Sequence, residues 1–161
     1  SGLNFTVGYI NASDAVTDVS YNDYGITYTG MAGLTVGYGE GDVESVTGTK
    51  SEENTMFAKY AFDGLGLTVG MQISEKNNDS ASDVETTGIG ISYQVNDDLA
   101  ISYGSNTLEK VGSTDQEATA IGVSYTMGSL GIALSMNQVD NIAHSGSNDR
   151  EGYQLGLSFA F

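Results

Sequence analysis

Apolar side chains recur at every second position through ten separate stretches of this chain, and the connections between the stretches alternate short and long. The first sets are Leu3, Phe5, Val7, Tyr9; Tyr24, Ile26, Tyr28; Leu34, Val36, Tyr38; Met56, Ala58, Tyr60, Phe62; and Leu67, Val69, Met71, Ile73. The rest are Ile89, Ile91, Tyr93, Val95; Leu99, Ile101, Tyr103; Ile121, Val123, Tyr125, Met127; Leu130, Ile132, Leu134, Met136; and Tyr153, Leu155, Leu157, Phe159, Phe161. Gly, Ser, Thr, Asn, Gln and Ala fill most places between them. Successive side chains of a strand point to opposite faces, so each stretch predicts a strand with one apolar and one small, polar face. No segment carries the helical period.

The short connections are Thr29–Gly33, Asp63–Gly66, Asn96–Asp98 and Gly128–Ser129, each supplying residues that tolerate tight-turn dihedrals. The long ones run roughly Asn11–Ser20, Glu40–Glu53, Glu75–Val84, Ser105–Glu117 and Asp140–Arg150. Adjacent strands joined this way form an antiparallel up-and-down meander, whereas a Greek-key sandwich mixes its loop lengths. Similar heptads, Gly2 "GLNFTVG", Gly33 "GLTVGYG" and Gly66 "GLTVGMQ", read as a repeated hairpin unit.

No eighteen-residue apolar run exists, so no transmembrane helix is predicted. A transmembrane β-barrel remains, because its lipid face hides in alternation and leaves the mean hydropathy near zero, here −0.16. The aromatic residues support it. With the short turns on the periplasmic side, Tyr28, Tyr60, Phe62, Tyr93, Tyr125, Phe159 and Phe161 fall at the inner interface. Tyr9, Tyr21, Tyr38, Tyr103 and Tyr153 fall at the outer one. Two such girdles flanking an aliphatic band are what membrane interfaces select. The expectation is one all-β domain over residues 1–161, a transmembrane antiparallel up-and-down barrel in the bacterial outer membrane. Its long loops are expected to be extracellular and both termini periplasmic. Net charge of −16 with five basic residues excludes nucleic acid as a partner, and the absence of Cys excludes disulfides and thiolate metal sites.

The hairpin heptads, the "GIGISYQVNDDLAISYG" segment from Gly88 to Gly104 and the terminal "YQLGLSFAF" from Tyr153 carry a family likeness. Through them the whole chain resembles the C-terminal ten strands of a sixteen-stranded Gram-negative general porin of alphaproteobacterial type. The resemblance implies a homotrimer that passes small hydrophilic solutes and ions by diffusion. It also implies contact with outer-membrane lipids and lipopolysaccharide, and recognition of the terminal strand, Phe161 included, by the barrel-assembly machinery. The porin's constriction loop and facing arginine cluster would lie upstream of Ser1. Two features of the residues favour a wider barrel: Ser1-Gly2-Leu3 resembles the second half of a short turn, and the inward residues are very small. The alternative is a self-contained ten-stranded barrel, its first and last strands paired, acting through its loops as an adhesin, a receptor surface or an omptin-like protease.

Parity points Lys59, Gln72, Gln94 and Gln154 inward, as candidate pore-lining residues, with Lys59 read as the only basic residue within a strand. The long loops hold most of the acidic residues. They form a solvated anionic surface that binds divalent cations between lipopolysaccharides or, more sharply, a field enriching cations at the pore mouth. Glu75–Val84 and Asn137–Arg150 group oxygen ligands that could hold Ca²⁺, although neither matches an EF-hand; no other cofactor is expected. His144, the only histidine, sits near Asp140 and Asp149 in a Ser/Gly/Asn-rich, mobile-looking loop. An omptin-type site would need inward acidic partners at the strand ends, and none is evident, so no enzymatic activity is expected.

Overall fold

The computed structural model describes residues 2–10, 19–45, 48, 50–78 and 83–160. Ten strands make one antiparallel sheet in strict chain order: β1 Leu3–Ile10, β2 Val19–Tyr28, β3 Leu34–Ser45, β4 Lys50–Phe62, β5 Leu67–Asn78, β6 Val84–Gln94, β7 Leu99–Lys110, β8 Gln116–Met127, β9 Leu130–Asp140 and β10 Arg150–Phe159. The only helical element among the described residues is one 3₁₀ turn, Ile142–His144.

Register sorts the side chains, because residues directly opposite one another in a ladder share a face. One face carries rows such as Leu34–Tyr60–Val69–Ile91–Tyr103–Ile121–Met136–Tyr153. The other carries Thr35–Lys59–Gly70–Gly90–Gly104–Ala120–Asn137–Gly152. These are here called the aromatic face and the small face.

Among the described residues no side chain is buried, and 25 large hydrophobic side chains of the aromatic face are exposed. Burying one such side chain stabilises a fold by about 1.5–3 kcal/mol, so 25 left in water would forgo more than the ~5–15 kcal/mol that holds a domain together. The sheet therefore has its apolar phase outside itself, as a membrane wall does, and no second layer forms a sandwich.

The short connections are tight turns. Gly128 adopts φ 60° in the two-residue link between β8 and β9, a left-handed value that suits the first central position of a hairpin turn. In the β6–β7 turn, Asn96 Oδ1 accepts the N–H groups of Asp98 and Leu99, both at 2.9 Å.

Three expectations need correction. The long connections are shorter than the alternation suggested, because β3 to β8 continue past the last apolar residue: β3 to Ser45, β5 to Asn78 and β7 to Lys110. Ladder hydrogen bonds need only backbone, so a strand outlasts its apolar pattern once both faces are wet. Tyr21 pairs with Ile10 and Val43 on the small face and so leaves the outer girdle. The loop around His144 is held rather than mobile-looking: Asn141 Nδ2 donates to the Asp115 carbonyl, the Ala143 N–H to Gln116 Oε1 and the Asn141 N–H to Asp149 Oδ1, each at 2.9 Å. Among the described residues β1 pairs with β2 and β10 with β9, so these two strands are the edges of the sheet.

Candidate functional site: the two faces of the wall

The aromatic face is layered along the strands. At the short-turn ends stand Tyr28, Phe62, Tyr93, Tyr125 and Phe159, with Tyr60 packed edge-on against Phe62 at 4.7 Å between ring centres. Aliphatic residues and Met follow. Tyr9, Tyr38, Tyr103 and Tyr153, joined by Tyr24, close the band on the long-loop side. Phe161 lies outside the described residues. Tyr24 and Tyr38 both donate their hydroxyls to Glu40 Oε2, at 2.5 and 2.6 Å, so the band ends where a carboxylate begins.

Past that edge the aromatic face turns acidic. Glu40, Asp42, Glu44, Glu52, Glu75, Glu85, Glu109, Glu117, Asp140 and Glu151 all share its register. Glu75, Glu85 and Glu109 stand directly opposite one another on β5, β6 and β7. Among the described residues, no group of three or more His, Asp or Glu gathers closely enough to hold a metal ion. Part of the Glu75–Val84 stretch, residues 79–82, lies outside the described residues. In the Asn137–Arg150 stretch Asp140 accepts from Gln138 Nε2 and Asp149 from the Asn141 N–H.

The small face carries Lys59, Gln72, Gln94 and Gln154, as parity predicted. Gln94 is engaged at the turn, its Nε2 donating to the Asn96 and Leu99 carbonyls at 2.6 and 3.3 Å. Gln72 Nε2 donates to Ser74 Oγ at 3.1 Å. Lys59 is not the only basic residue within a strand: Lys50, Lys76, Lys110 and Arg150 also lie on strands, and all but Lys50 occupy the small face. Sequence reasoning had assigned these to loops. The signal that could have recovered them is parity carried beyond the apolar residues.

The charges are thus sorted by face. Ten of the twelve strand carboxylates stand on the aromatic face, with Asp23 and Glu53 alone on the small face. Four of the five basic residues do the opposite.

A hollow of about 590 Å³ opens over the small face, lined by Phe57, Lys59, Gln72, Asn106, Asn137 and the glycines between them. The Phe57 ring lies over Gly37, whose missing side chain leaves it room. His144 engages the Thr114 carbonyl through Nδ1 at 2.9 Å, tying one long loop to its neighbour.

A family profile described as Gram-negative porin matches residues 1–161. The chain belongs to the Gram-negative porins. That membership, with the wall geometry, places the porin chain in the bacterial outer membrane; the alphaproteobacterial subtype is a narrower statement than the match makes. Among solved structures, the porin chain is similar to a loop-deletion mutant of OmpT, an outer membrane protein of Vibrio cholerae. The match has a TM-score of 0.62 at 12% identity, and covers 99% of this chain and 59% of that one. At that identity the likeness speaks for the fold alone. No curated protein matches the sequence.

Proposed function

We propose that this porin chain forms part of the wall of a water-filled channel through which small hydrophilic solutes and ions diffuse passively. One observation carries the reading: a single sheet presents a continuous apolar face to lipid and a Gly-, Ala- and Ser-rich polar face to the opposite side. Because unpaired strand edges cannot face lipid, β1 and β10 need further strands, and we read the complete barrel as sixteen-stranded. The 59% share of the matched structure's length supports a wider barrel than ten strands make. In this reading the short turns are periplasmic, the long loops extracellular, and the assembly a homotrimer. Outer-membrane lipids meet the aromatic band, lipopolysaccharide and its divalent cations (loop-bound Ca²⁺ included) meet the carboxylate row above it, and the barrel-assembly machinery reads the terminal strand. We read the protein as a channel and not as an enzyme, a reading supported by the engagement of His144 Nδ1 with the Thr114 carbonyl.

The test is conductance of the full-length natural protein in planar lipid bilayers. Stable steps that close in thirds support a trimeric diffusion channel. Silence from protein that is folded and inserted overturns it in favour of a barrel that works through its loops.

A further inference from the structure

We propose that Lys59 is the centre of an anion subsite on the channel wall, taking small solutes that carry a carboxylate or a phosphate group. The proposal rests on the channel reading and names the solute class that this part of the wall favours.

Lys59 stands in a cleared field. Its register neighbours are Thr35 and Gly70, and beyond Gly70 come Gly90, Gly104 and Ala120, none with a side chain long enough to cover it. A β-carbon on Gly70 would lie 3.8 Å from Lys59 Cβ and Cγ, an ordinary van der Waals contact, and both residues line the hollow. The side chain is exposed and, among the described residues, makes no ion pair. This separates it from Lys76, which pairs with Glu53, and from Lys50, which pairs with Glu44 at 3.5 Å on the aromatic face. The two carboxylates of the small face are remote. Glu53 and its row-mate Asp23 stand six register positions along the strands from Lys59, roughly 20 Å away.

The small-face carboxamides Gln72, Asn106 and Asn137 line the same hollow, and the Phe57 ring gives it one apolar flank. Gln72 Nε2 and Asn137 Nδ2 each donate one N–H to a serine Oγ, at 3.1 and 3.4 Å, and each amide has a second N–H to offer. An unpaired ammonium with neutral donors around it is complementary to an oxyanion on a small carbon skeleton. A single positive charge on a low-dielectric wall also raises the local concentration of anions along the path.

Reversal potentials across a KCl gradient test the subsite in the full-length protein, with Lys59→Gln, Lys59→Glu and, as control, Lys50→Glu. Lys59→Gln should lower the anion-to-cation permeability ratio about threefold. That is the effect of one charge some 7 Å from the ion path in a mostly aqueous medium at 0.1 M salt. Lys59→Glu should lower it further, and Lys50→Glu should leave it unchanged. Inorganic phosphate added to one side should reduce the chloride current of the unsubstituted pore more than that of Lys59→Gln. Normal conductance with unaltered selectivity and phosphate response in both Lys59 variants overturns the subsite and leaves the channel standing. No conductance from any protein, the unsubstituted one included, overturns the channel and the subsite together.

Discussion

The two faces of this sheet share every backbone hydrogen bond yet follow opposite rules. On the aromatic face, side chains are selected for what surrounds the protein, and depth decides identity: aromatic, then aliphatic, then aromatic, then acidic. On the small face, side chains are selected for the space they leave. Gly37 makes room for Phe57, and Gly70, Gly88, Gly90 and Gly104 line the hollow. One strand must satisfy both codes at alternate residues, which is why neighbours in sequence should respond very differently to the same change.

The largest effect comes from testing that directly. Ile91 and Ser92 are consecutive on β6, Ile91 in the middle of the aromatic face and Ser92 between Thr68 and Ser102 on the small face. Ile91→Arg should cost about 2–4 kcal/mol, the penalty for a cation at bilayer mid-depth. Ser92→Arg should cost less than about 1 kcal/mol, because the guanidinium reaches water. Urea titration of folded protein in lipid vesicles reads both. Equal losses would erase the distinction between the faces.

Alternation made the membrane band legible residue by residue, because where one face meets lipid and the other water the period-two signal is as strong as a strand can give. It failed at two kinds of place for one reason. Beyond Tyr38, Ile73 and Tyr103 both faces are wet, the apolar signal stops, and Glu40–Ser45, Glu75–Asn78 and Ser105–Lys110 read as loop although the ladder continues. Lys76, Lys110 and Arg150 were misassigned with them. Lys59 and Gln72 lie inside the band and their parity was correct. The hollow was invisible in sequence because Phe57, Asn106 and Asn137 meet only through the register of six strands.

A smaller effect probes packing on the small face. Gly37→Val puts a branched side chain where the Phe57 ring lies, and overpacking of this kind costs about 1–3 kcal/mol. Phe57→Ala should recover most of the loss in the double variant, which a cycle of four stability measurements resolves. If the two changes simply add, Phe57 does not need Gly37.

At the long-loop end, Asn141 holds φ 56° and reaches Asp115 across to the neighbouring connection. Asn141→Ala removes that bond and the residue that best tolerates the left-handed region, a loss of about 1–2 kcal/mol confined to the loop. Faster hydrogen exchange over residues 141–149, with the strands unchanged, is the expected record. Uniform acceleration through β9 and β10 would mean that the loop clasp stabilises the sheet itself.

The smallest effect separates the charge codes of the two faces. Glu75, Glu85 and Glu109 stand side by side on three adjacent strands, and like charges directly opposite one another destabilise a sheet by up to about 1 kcal/mol per pair. Glu85 is the middle member, so Glu85→Gln removes two repulsions and keeps the shape. It should therefore raise stability in chelator-treated, low-salt buffer by roughly 0.5–1 kcal/mol, with the gain fading as salt screens the exposed carboxylates. Divalent cations should shrink the gain further if they bridge this row to anionic lipid, since the unsubstituted protein then loses its repulsion as well. Lys110→Gln, on the other side of the same strand as Glu109, should give no such stabilisation. A Glu85→Gln variant that is less stable at low salt would show that the carboxylates are held by an attraction, and that the acidic row is bound by something in the sheet rather than by what lies outside it.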